Sequence, residues 1–88
     1  MDAWIDRLAG ALGEDPLTDL ETGRLLSSSR EVAHRVERKT TPLAAFLLGS
    51  AAGRSMAGGA SRVDALTAAL ETLESLLPPP AEESRFEG

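Results

Sequence analysis

The chain is 88 residues long, 42% apolar and 26% charged, with a net charge of −5 and no cysteine. That length makes one small domain with a single core, burying only about 60% of its unfolded surface. The missing cysteines exclude disulfides and thiolate metal sites, which fits a reducing, cytoplasmic setting, and the acidity argues against nucleic acid as a partner. Charge is unevenly spread: residues 1–23 sum to −5, residues 24–62 to +5 and residues 63–88 to −5. A basic middle between acidic ends predicts pairing between helices first, and a patch for an acidic partner or an anion second.

The N-terminus, MDAWIDRL, carries acids where an export signal would carry Lys or Arg. Trp4, Ile5, Leu8 and Leu12 recur at helical spacing. A first helix is therefore expected from Asp2 to Leu12, with Asp2 as N-cap and Gly13 as stop. Thr18-Asp19-Leu20-Glu21 is a capping box, in which the Thr hydroxyl and the Glu carboxylate each accept from the other's backbone N–H. The second helix should run from there to about Arg38, with Leu25, Leu26, Ser29, Val32, Ala33 and Val36 on one face. Arg24, Glu31, His34, Arg35 and Arg38 lie opposite. Arg24, His34, Arg35 and Arg38 are the candidate partner-binding face.

Thr41-Pro42 opens a third helix, since proline suits the first turn, where its missing N–H is not needed. From Pro42 to about Met56 this helix is apolar or small on every side until Arg54. That pattern predicts a central, buried helix. Ala45, Gly49 and Gly53, with Ala52 beside them, should let a neighbouring backbone approach closely. Gly58-Gly59 ends it. Ser61 caps a fourth helix whose stripe is Val63, Leu66, Leu70, Leu73 and Leu77. Pro78-Pro79-Pro80 stops that helix, and the acidic tail through Phe86 is expected to be disordered. No strand pattern is found, and the longest apolar run is too short to span a bilayer. The expected architecture is an all-α, compact single-domain bundle of about four helices over residues 1–77, with residues 78–88 as tail.

Two glycine-rich fragments invite a phosphate-binding reading. GSAAGRS has three residues between Gly49 and Gly53, Arg54 where a P-loop needs lysine, and no preceding strand. MAGGASRV resembles part of the loop of sugar-phosphate and molybdopterin nucleotidyltransferases. A helix precedes it, no lysine follows, and the chain is too short for that α/β domain. The plain account is a helix-stop glycine followed by the Ser61 cap, with Arg54 at its own helix end; the alternative is an anion at the fourth helix's N-terminus, held by Arg54, Ser61 and Arg62. His34 is the sole histidine, and no nucleophile, orienting acid or metal-ligand spacing accompanies it. No catalytic residue, metal or cofactor is assigned.

Trp4, Ile5, Asp6 and Leu8, then Ala33, His34, Val36 and Arg38, then PLAAFLLGSAAG from Pro42 to Gly53, stand in a distinctive order. The chain resembles, over most of residues 2–77, a small family of uncharacterised bacterial helical domains. Such domains are similar to those found beside, or fused to, molybdenum-cofactor guanylyltransferase-like proteins. The resemblance implies a non-catalytic accessory role in molybdopterin guanine dinucleotide assembly, with a nucleotidyltransferase-like protein or a second copy as partner. Alternatives are an anion- or nucleotide-binding module and a freestanding acidic helical regulator.

Overall fold

The computed structural model describes residues 3–80. It has four α-helices in chain order: α1 (Ala3–Ala11), α2 (Asp19–Arg35), α3 (Thr41–Ala57) and α4 (Arg62–Ser75). A single 3₁₀ turn, Arg38–Thr40, links α2 to α3. No strand occurs among the described residues. The expected Asp2 cap and the tail from Ala81 onward, Phe86 included, lie outside them.

Local chemistry sets most helix ends. The capping box forms: the Thr18 N–H donates to Glu21 Oε1 at 2.9 Å and the Glu21 N–H to Thr18 Oγ1 at 3.1 Å. Ser61 Oγ accepts from the Asp64 N–H at 3.1 Å and starts α4. Gly13 (φ 76°) and Gly59 (φ 111°) end α1 and α3 in the left-handed region that disfavours side chains. Each closes a Schellman motif. The Glu14 N–H reaches Ala9 O and the Gly13 N–H reaches Gly10 O. Likewise the Ala60 N–H reaches Ser55 O and the Gly59 N–H reaches Met56 O.

Three expectations need correction. First, α2 ends at Arg35, three residues short of Arg38. Pro42 forbids one continuous helix, because it has no N–H and its ring clashes with the carbonyl four residues back. The reset needs room: Val36 leaves helical geometry (φ −118°, ψ −90°), Glu37 is extended, and Arg38 begins the 3₁₀ turn. Thr40 thus precedes α3, which starts at Thr41 without a side-chain cap. Second, α3 is central in position, packing mainly on α4 and also on α2 and the 3₁₀ turn. Its circumference is nevertheless not buried. Only Leu48 is enclosed, while Leu43, Phe46 and Leu47 are exposed. Third, no backbone closes on the two glycines of that stripe. A Cβ built on Gly49 or Gly53 would meet nothing within 4 Å.

The core is therefore slight. Leu48 of α3 meets Leu66 and Leu70 of α4, with Leu25, Ala69 and Leu73 packed around them. Val32 and Ala65 are the other buried apolar residues among those described. In α4, Val63 is exposed and Leu77 lies beyond the helix, so its stripe narrows to Leu66, Leu70 and Leu73.

Candidate functional site

The small residues of α3 open a groove. Ala45, Gly49, Ala52 and Gly53 form its floor, since they carry too little side chain to fill the space beside α2. Leu25 and Val32 come from α2, Leu66 and Leu73 from α4, and Met56 lies toward the C-terminal end of α3. The groove measures about 400 Å³, within the range of sites that take small ligands. Its lining is mostly apolar, with Ser28, Ser29 and Thr41 as hydroxyl points. Thr41 Oγ1 is buried without a hydrogen-bond partner in the structure.

The charged residues of the groove are organised around Glu21, which is 5% exposed. Its Oε1 accepts from the Thr18 N–H, and its Oε2 lies 3.3 Å from Arg62 Nε. Arg62 Nη1 also donates to Asp15 O at 2.9 Å. One carboxylate thus caps α2 and anchors the first residue of α4. Burying a carboxylate is costly unless it is paired and hydrogen-bonded, and both conditions hold here. The capping box marks Glu21 in the sequence, but no local pattern announces that its acid also faces an arginine 41 positions away.

The candidate anion-binding residues are separated in role. Ser61 is occupied by its own helix cap, and Arg62 by Glu21 and Asp15. Arg54 is exposed in the last turn of α3. The candidate partner-binding face is likewise divided. Arg24 Nη1 donates to Thr67 Oγ1 at 2.9 Å, tying α2 to α4. Arg35 pairs with Glu31 at 2.9 Å, and its Nε donates to Pro78 O at 2.7 Å. His34 is exposed on α2, whereas Arg38 is carried by the 3₁₀ turn and has left the helix face. Of the three ion pairs among the described residues, only Arg62–Glu21 joins two helices. No group of three or more His, Asp or Glu residues among those described is placed to hold a metal ion. No described helix is long and apolar enough to cross a membrane.

Fold and site together define a small all-α domain with a thin core, an apolar groove and large exposed apolar faces. The chain belongs to the DUF6457 family, a domain of unknown function, whose pattern matches residues 1–85. No curated protein and no solved structure matches it.

Proposed function

We propose that this chain is a non-catalytic helical interaction domain. One observation carries the reading: exposed large apolar side chains outnumber buried ones. Five apolar residues are buried among those described, while twelve large ones stand exposed, Phe46, Leu47 and Trp4 among them. Single exposed apolar residues are ordinary, but several on one helix face mark contact surfaces. Of the basic candidate residues, His34 and Arg38 are the exposed members.

The resemblance to domains accompanying molybdenum-cofactor guanylyltransferase-like proteins supplies the first partner to try. In calorimetric titrations of the full chain against such a protein, saturable binding is expected. Phe46→Glu should abolish it, and Arg35→Glu with Arg38→Glu should weaken it. Absence of binding both to that protein and to the chain itself would remove the interaction reading.

A second reading, binding of a small molecule, has its own support in the groove and in the unpaired Thr41 hydroxyl. Titration with GTP and with pterin phosphates tests its anionic form. Heat release that disappears in Gly49→Leu, which fills the groove floor, would favour it, and a flat trace would remove it.

A further inference from the structure

We infer that the chain is built to pair with a second copy of itself, the α1 stripe of each copy lying on the outer face of α3 of the other. The inference rests on the interaction-domain reading above and names its partner.

Two faces carry it. On α1, Trp4 and Leu8, continued by Leu12 just past the helix end, form one exposed line at i, i+4, i+8, with Leu12 67% exposed. Ile5 and Ala9, on the adjoining side, are partly buried. On α3, Leu43, Phe46 and Leu47 project from successive turns, and Phe46 is 75% exposed. In the described chain α1 contributes little to the helix packing, which is dominated by α3 against α4.

Charge selects between possible occupants. From Thr40 to Gly53 the chain has no charged residue, and the positions framing that stretch are Arg38, Lys39 and Arg54. An α3 face set against another α3 face would bring those cations together. The end of α1 is acidic, with Glu14 and Asp15 following Leu12 and Gly13. Laying α1 of one copy on α3 of the other joins apolar to apolar and acid to base. It does so twice by symmetry, as a two-fold dimer requires.

Area agrees. Scaled by their exposures, the six side chains offer on the order of 700 Å² per chain. A reciprocal pair then removes on the order of 1,400 Å², inside the roughly 1,200–2,000 Å² of stable specific interfaces.

The test uses the full chain and its single tryptophan. Light scattering across a dilution series should show a dimer, and Trp4 emission should shift to the red as the dimer dissociates. Phe46→Glu and Leu8→Asp, each with helical circular dichroism retained, should weaken the dimer by at least about thirty-fold, the effect of a central anchor. Mixing the two variants should restore pairing in part. One intact stripe then meets one intact α3 face, a rescue that α3–α3 or α1–α1 contact cannot give. Should either variant lose its helices, Phe46→Ala and Leu8→Ala replace the pair.

A wild-type monomer at every concentration would overturn the inference. So would a dimer indifferent to both positions, or mixing without rescue. A monomer that still binds the guanylyltransferase-like protein through Phe46 would overturn the inference alone and leave the interaction reading standing.

Discussion

The Arg62–Glu21 contact decides whether Arg62 is structural or available to a ligand. In Arg62→Ala the Glu21 carboxylate keeps its Thr18 N–H but loses its cation, and Asp15 O loses a donor. Removing one partner of a fully buried pair costs roughly 3–5 kcal/mol. The Glu21 side chain is 7% exposed but that of Arg62 is 26% exposed, so water can reach part of the site. A loss of about 2–3 kcal/mol follows, the upper part of the range for hydrogen bonds to charged groups. For a domain this small, that lowers the thermal midpoint by roughly 10–20 °C. Thermal unfolding by circular dichroism measures it. Glu21→Gln keeps a side-chain acceptor for the Thr18 N–H and removes the charge. Adding it to Arg62→Ala should therefore restore part of the loss. Were Arg62→Ala to change stability by less than about 0.5 kcal/mol, as surface substitutions do, the clasp would be refuted and Arg62 would be free for an anion.

Other substitutions test the local assignments. Gly49→Ala meets open space in mid-helix and should stabilise the chain by about 0.5–1 kcal/mol; a loss in chemical denaturation would mean that a backbone does approach there. Gly59→Ala places a side chain at φ 111° and should destabilise by about 1–3 kcal/mol, read as a lower midpoint in the same assay. Thr18→Ala removes the acceptor that caps α2 and should cost about 1 kcal/mol, with Ser61→Ala costing a similar amount at α4. Leu70→Ala, in the small core, should cost about 2–5 kcal/mol, enough to unfold much of the population near physiological temperature.

What sequence reading recovers here is what neighbours in the chain decide. The Thr18 box, the Ser61 cap and the Gly13 and Gly59 stops each depend on contacts within a few residues, and each is found where the pattern places it. Pro42 announces a break but does not say how many residues the reset consumes, so the pattern carries α2 on to Arg38, whereas the helix ends at Arg35 and Arg38 lies in the 3₁₀ turn. The site depends on distant pairs. Arg24 and Thr67, Arg35 and Pro78, and Arg62 and Glu21 are 43, 43 and 41 positions apart, and no periodicity carries such information.

The third helix shows why burial in particular is illegible. An all-round apolar pattern states only that water is unfavourable on every side; it is silent on what replaces the water. Three other helices with four leucines partly or fully buried among them do not enclose this 17-residue helix. Ala44, Leu48 and Ala52 therefore face inward, while Leu43, Phe46 and Leu47 face out. The composition that predicts a buried helix is therefore met on one side only. Ala45, Gly49 and Gly53 lie on a different side, along the groove beside α2, and nothing inside the chain crowds either glycine, although mid-helix glycine costs about 1 kcal/mol against alanine. The sequence of α3 is that of a core helix, and the small core of this chain encloses one side of it.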